Sequence, residues 1–180
     1  MNLFVTIAFL ALSGWLLTDP IVPVSVLGHQ RALLKAQHLS MAEQRQTVDQ
    51  QSEKAAILLA TNQQRARIHI PELKPDAKLM QAAQQYAELM AIKDQMSHTL
   101  NGLSLVDKAN RVGYSYRQLR ENIALNTRLD GRFVVINQWM ESKGHRKNLL
   151  TKDLTDIGIG IAGPSKQNRY YYCQLFGTPL

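Results

Sequence analysis

The sequence holds a single cysteine, Cys173, among its 180 residues. One cysteine excludes an internal disulfide and any multi-cysteine metal site. It does not exclude export, because a domain of this size buries enough surface to hold together without staples. The expected place for Cys173 is the core of a strand. Aromatic residues are few, at 7%, and they are not interleaved with basic residues as in single-strand nucleic-acid binders. No zinc-finger spacing occurs, and the basic residues are scattered rather than massed. Nucleic acid is therefore not an expected partner, despite a net charge of +7. A G-x-S-x-G nucleophile elbow is also absent.

Long apolar runs are missing too. The longest, Leu3–Leu17, falls short of the about 20 residues that a bilayer-spanning helix needs. Its length suits the h-region of a signal peptide. No Lys or Arg precedes it and no A-x-A cleavage pattern follows it. If Asp19 is a brief interruption, the apolar stretch continues to Leu27 and reads as an uncleaved signal anchor. The expectation is thus a signal peptide or N-terminal membrane anchor over 1–25. A buried first helix is the competing reading. Export makes the protein secreted or periplasmic, where its positive surface suits anionic envelope polymers or lipid head groups.

What is present divides into three parts. Residues 26–52 include a Gln-rich stretch that reads as a weakly amphipathic helical spacer. In it, Ser40 and Glu43 form a capping-box pattern. Residues 53–180 read as one domain. Glu53–Arg65 carries an amphipathic helical stripe, which Pro71 and Pro75 then interrupt. Asp76 is placed to cap a second helix, in which Leu79, Ala82, Ala83, Tyr86 and Met90 recur at spacings of three and four. Leu105–Val112 reads as a short helix closed by Gly113. Phe133–Met140 reads as a helix whose core side is Ile136, Trp139 and Met140, with Lys143-Gly144 ending it. In Asp156–Ala162 three isoleucines alternate with glycines. Paired with Arg169–Phe176, this segment predicts a β-hairpin with one buried face. Gly158 and Gly160 predict a close approach by another backbone. Of the run Tyr170–Tyr172, one face is expected in the core and the other under a helix. Helices first and strands last indicate an α+β fold.

The polar residues with chemical potential are His98, Glu121, Ser142 and His145. His98 follows the strongest helix, and His145 is expected in a loop after Trp139. Two neutral imidazoles and a carboxylate can hold Zn2+, or can move protons near neutrality. Ser142 with His145 invites a nucleophile–base reading. Glu121 with Glu141 invites a paired-carboxylate reading. Arg146 and Lys147 can reach an anionic partner or be solvated helix-end charges. Asn122 and Asn148 are expected to bond to backbone at bends.

These residues fall into a recognisable order. Leu58 to Arg65 follows L-x-x-x-N-x-x-R. Ser97-His98 comes after the second helix. Arg120 to Ala124 reads R-E-N-I-A. Trp139 to Leu150 reads W-M-E-S-K-G-H-R-K-N-L-L. Ile157 to Gly160 reads I-G-I-G, and Cys173 to Gly177 reads C-Q-L-F-G. Together they resemble the bacterial branch of the CAP superfamily, the SCP-like domains of cysteine-rich secretory, antigen 5 and pathogenesis-related proteins. The resemblance implies a three-layer α-β-α sandwich, usually exported. In animal and fungal members a cleft carries two His and two Glu. By that pattern His98 and His145 are the histidine pair and Glu121 the first glutamate. The second glutamate falls on Ser142, while Glu141 is one position off and points elsewhere. The set is one carboxylate short, leaving His98, His145, Glu121 and water as the implied shell for a divalent cation such as Zn2+. Members are linked to lipid or sterol binding, envelope roles, defence and proteolysis, with no common reaction. The resulting expectation is an exported binding protein of the cell envelope whose cleft is formed by His98, Glu121 and His145, with Ser142 and Arg146 beside them. Its ligand would be envelope polysaccharide, peptidoglycan or lipid. The alternative is a metal-assisted hydrolase using the same cleft, with His98, Glu121 and His145 catalytic.

Overall fold

The computed structural model describes residues 24–180; the expected leader over Leu3–Leu17 lies outside them. The chain divides into two compact units, Met1–Ala42 and Glu43–Leu180. The described part of the first is wholly helical and belongs to α1 (Val24–Ala66). Residues 28–49 of that helix are exposed throughout. Ser40 and Glu43 do not cap a helix start, because both lie inside the continuous helix. Among the described residues no helix is long and apolar enough to cross a membrane.

In the second unit, the last turns of α1 bury Ile57, Ala60, Thr61, Gln64 and Arg65. Asn62 then pins the extended chain that follows. Its amide donates to Leu73 O at 3.1 Å and accepts from Leu73 N at 2.9 Å, as a neighbouring strand would. The short β1 (Lys74–Pro75) pairs in parallel with β3 (Asp156–Ala162). Helix α2 (Ala77–Lys93) starts where the sequence predicts, with the Asp76 carboxylate accepting from Leu79 N at 2.9 Å. It buries Leu79, Ala82, Ala83, Tyr86, Ala87 and Met90. Helix α3 (Leu105–Arg111) opens with a Ser104/Asp107 capping box and closes at Gly113, whose φ of 68° suits glycine.

The sheet order is β1-β3-β4-β2, with β2 spanning Tyr116–Asn126 and β4 spanning Tyr170–Pro179. β3 and β4 form the expected hairpin, and β4 pairs antiparallel with β2. The hairpin is buried on both faces rather than one. Helices cover each side, giving the α-β-α sandwich. Tyr171, Cys173 and Leu175 join the cluster containing α2. Tyr172, Phe176 and the three isoleucines of β3 join the cluster with Ile57, Val134, Trp139 and Leu149. The glycine prediction holds: a Cβ on Gly158 would lie 2.1 Å from Leu79 O, and one on Gly160 would lie 2.1 Å from Ala83 O. Only bare backbone lets α2 settle this deeply on β3.

The region around Trp139 differs from the expected regular helix. α4 (Gly131–Phe133) runs into a π-helical turn, Val134–Trp139, with Met140 N bonding to Val135 O at 2.9 Å. The wider turn brings Val134 and Trp139, five residues apart, to the core together. Val134, Val135 and Trp139 are buried, while Ile136 and Met140 are only partly so. Lys143-Gly144 does not end the helical region. Instead Ser142 takes an extended N-cap conformation, and α5 (Lys143–Leu149) begins immediately. His145 thus sits on the first turn of a helix, not in a loop.

A lysine-neutralised histidine–glutamate cleft

Alternation along β2 decides which side each residue serves. Leu119 and Ile123 belong to the α2 cluster, Ala124 to the opposite one. Glu121 shares the α2 side and Asn122 the other.

Glu121 has a side chain only 4% exposed, and each of its oxygens is engaged. Oε2 lies 2.7 Å from His98 Nδ1. Oε1 lies 2.5 Å from the ammonium of Lys108 on α3. Lys108, itself 4% exposed, also donates to His98 O at 2.9 Å and stands 3.2 Å above the Tyr86 ring centroid. The buried carboxylate therefore has an opposite charge, a hydrogen-bond donor and an aromatic wall in one assembly. A buried charge requires that kind of compensation. Tyr86 fixes the loop that bears His98. Its hydroxyl donates to Ser97 O at 2.7 Å and accepts from Leu100 N at 2.9 Å. Burial pushes its pKa up to about 12, with Glu121 adding to the effect, so it stays protonated as that donor. The Cys173 thiol lies 3.8 Å from Glu121 Oε1 and is pushed well up, chiefly by burial. It is an inert core group, as expected from its strand position. The His98 side chain, by contrast, remains 55% exposed. Glu121 holds one ring nitrogen and leaves the rest of the imidazole facing outward.

His145 reaches the same region from the other side of the sheet edge. Its imidazole pKa is lowered, mainly by burial and then by the charge of His98. It is consequently neutral at physiological pH and electrostatically aware of its partner. Together with Ser142, Met96, Ile123 and Trp139 it lines a cavity of about 360 Å³. Its placement comes from a run of buried amides. Thr61 Oγ1 accepts from Gln174 Nε2 at 2.9 Å, and Gln174 Oε1 accepts from Asn122 Nδ2 at 3.2 Å. Asn122 Nδ2 also donates to His145 O at 3.1 Å. Asn148 Nδ2 then bonds Asn122 Oδ1 at 3.0 Å and Glu121 O at 2.9 Å. The two asparagines thus bond to backbone as anticipated, and to one another.

The outer edge of β2 is closed in the same manner. Asn148 bonds to Glu121 O, Trp139 Nε1 donates to Ile123 O at 3.1 Å, and Gln138 Nε2 donates to Leu125 O at 3.2 Å. Side chains from the π-turn and α5 so occupy the carbonyls that an edge strand normally leaves open. Arg65 performs a parallel task beneath α5. Fully buried, it donates to Pro71 O, Leu149 O, Thr151 O and Leu154 O at 2.8 to 3.2 Å.

Among the sequence candidates, His98, Glu121 and His145 converge, and Ser142 adjoins His145. Arg146 is exposed and donates to Met140 O at 2.9 Å, which ties the turn before α5. Glu141 is exposed and forms no paired-carboxylate site with the buried Glu121. Zn2+ does not fit this donor set. The carboxylate of Glu121 is already committed to Lys108 and His98, and a dication there would meet the Lys108 ammonium. Among the described residues no group of three or more His, Cys, Asp or Glu side chains is placed to hold a metal ion. Lys108 is the residue that sequence reasoning passed over. The available signal was its spacing, since it falls on the same helical face as Leu105, Ala109 and Val112, where a lysine is out of place.

A sequence model described as CAP, the cysteine-rich secretory protein family, matches residues 58–176. The uncharacterized membrane protein YlbC of Bacillus subtilis is 33% identical over 67% of this chain, and the match takes in 33% of that protein. An extracellular protein containing a SCP domain from Bacillus anthracis is 30% identical, with a TM-score of 0.59. The match covers 67% of this chain and 38% of that one. An outer surface protein of Borrelia burgdorferi shares the fold at 22% identity and a TM-score of 0.65, over 72% of this chain and 94% of its own. This chain spans about a third of the two Bacillus proteins. The geometry of the cleft, the sandwich around it and these matches agree: the chain belongs to the CAP, or cysteine-rich secretory protein, family.

Proposed function

We propose that this protein is exported and binds a component of the cell envelope in the cleft formed by His98, Glu121 and His145. The observation that carries the reading is the contrast within one hydrogen-bonded pair. Glu121 is buried and neutralised by Lys108, while the His98 ring it orients is more than half exposed. A rigid, outward-facing imidazole beside the cavity under His145 suits recognition of hydroxyl, amide or anionic groups. Polysaccharide, peptidoglycan and lipid head groups offer them. The exposed Arg146 and the net positive charge favour anionic forms. Export is supported by the apolar run Leu3–Leu17 and by relatives described as extracellular, outer-surface or membrane proteins. The test is sedimentation of the full chain with purified peptidoglycan, anionic envelope polysaccharide or anionic lipid vesicles. One of the three is expected to capture it, with at least a ten-fold loss in the His98→Ala/His145→Ala protein. Capture by none, or capture indifferent to both substitutions, overturns the reading.

The pairing of His98 with Glu121 favours a second reading. A carboxylate that fixes one imidazole nitrogen leaves the other available as a general base, the arrangement by which a hydrolase activates water or a hydroxyl. This version uses no metal. It requires turnover of a peptide, glycan or ester substrate that falls at least 100-fold in His98→Asn; unchanged turnover removes it.

A further inference from the structure

The spacer helix carries a repeat that the cleft does not use. Leu27, Leu34, Met41 and Val48 follow one another at seven-residue intervals, and Gln30, Gln37, Gln44 and Gln51 stand three places after each. A period of seven keeps these residues along one seam of a helix, with an apolar row at one of the two core positions of a coiled coil and a glutamine row at the other. Leu34, Met41 and Val48 are 55%, 62% and 67% exposed. The domain does not claim this face. α1 packs on the domain through Gln46 and Gln50, which donate to Gly163 O, through Glu53, which accepts from Gly131 N at 2.6 Å, and through the buried Ile57. Val48 is two residues from each of the two glutamines, about half a turn around the helix.

We infer that the seam is a dimerisation surface whose occupant is the α1 of a second copy of this chain, in parallel and in register. A seven-residue repeat is self-complementary, so an identical helix in register meets each apolar residue with its own copy and each glutamine with a glutamine. Charge selects the orientation. The positions that follow each glutamine are Arg31, His38 and Arg45, while those that precede the apolar residues are Leu33, Ser40 and Thr47. In a parallel pair the basic row faces the uncharged row of the partner. In an antiparallel pair it faces another basic row. The glutamine layers hydrogen-bond across the seam and make the association weaker than an all-leucine one. They also disfavour a slip of three or four residues, which would set amides against apolar side chains.

Cysteine cross-linking of the full chain in mild detergent tests this. The native Cys173 is buried and stays silent. Leu34→Cys and Val48→Cys lie on the seam, and Leu39→Cys lies off it on an equally exposed position. Under mild oxidation each seam variant, alone, is expected to form a disulfide dimer at least ten-fold faster than Leu39→Cys. Sedimentation should show Met41→Glu shifted toward monomer with unchanged helix content. Equal rates at all three positions overturn the inference. Cross-linking only when the Leu34→Cys and Val48→Cys proteins are mixed overturns the parallel orientation, because that pairing belongs to an antiparallel dimer.

Discussion

Both faces of the sheet bury an apolar cluster, but they differ in what locks the helices onto it. On one, α2 lies against β3 through Gly158 and Gly160, and the contact is a matter of shape, with backbone against backbone. On the other, α5 and the end of α1 share an apolar cluster with the sheet and add a run of side-chain hydrogen bonds through Thr61, Gln174, Asn122 and Asn148. The close-packed contact tolerates no added atom, and Gln84 on α2 supplements it by bonding both Ile161 O and Ile161 N. The hydrogen-bonded contact is instead sensitive to the loss of a single donor, which leaves a buried acceptor unpaired. The cleft sits where the two meet, with Glu121 and Lys108 on the first face and Asn122 and Asn148 on the second.

Substitutions can sharpen that contrast, and the largest effect is expected at the junction itself. Lys108→Met leaves the Glu121 carboxylate buried without its cation, a loss of about 3–5 kcal/mol. Chemical denaturation should show it, and Lys108→Met/Glu121→Gln should recover much of it. If the single variant is as stable as the parent, the buried pair is not what organises the cleft. Next, Gly160→Ala drives a methyl group into the Ala83 carbonyl of α2. About 3 kcal/mol is expected, at the top of the usual range for overpacking. A smaller loss would mean that α2 can lift from the sheet. On the polar face, Asn148→Ala removes the donors to Glu121 O and Asn122 Oδ1. The expected cost is about 1–3 kcal/mol, with a change in the His145 ring resonances that Gly160→Ala does not produce.

The smallest effect concerns pH. The imidazole of His145 is held below its ordinary value of 6.5 by burial and by His98. Below that value the unfolded chain takes up a proton that the folded one resists. Stability from this residue is therefore intact above about pH 6.5 and declines as the pH falls beneath it. Melting temperature measured between pH 7.5 and 5 should drop less in His145→Gln than in the parent. An equal drop would place the acid sensitivity elsewhere.

The shape-based half of the molecule was legible in the sequence, and the polar half largely was not. Alternating Ile and Gly in β3, and three-and-four spacing in α2, are local patterns whose physical meaning does not depend on distant residues. The convergence of His98, Glu121 and His145 followed from family order rather than from spacing, because no local rule brings together residues on a loop, a strand and a helix. Lys108 escapes sequence reasoning for a related reason. A lysine's default is solvent, and only its unseen partners Glu121 and Tyr86 make burial favourable. Gly144 signals a stop and so predicts a loop at His145, whereas Ser142 begins a new helical turn there. The π-turn is equally hidden, because a five-residue spacing between Val134 and Trp139 fits neither helical nor strand periodicity.

The closed edge of β2 has a consequence for how this protein can meet others. An open fourth strand would accept any extended peptide, its own kind included, and partner choice would be indiscriminate. With Trp139, Gln138 and Asn148 occupying those carbonyls, β2 offers a foreign strand no free acceptors at Glu121, Ile123 and Leu125. Contact at this edge is therefore left to side chains rather than to backbone pairing.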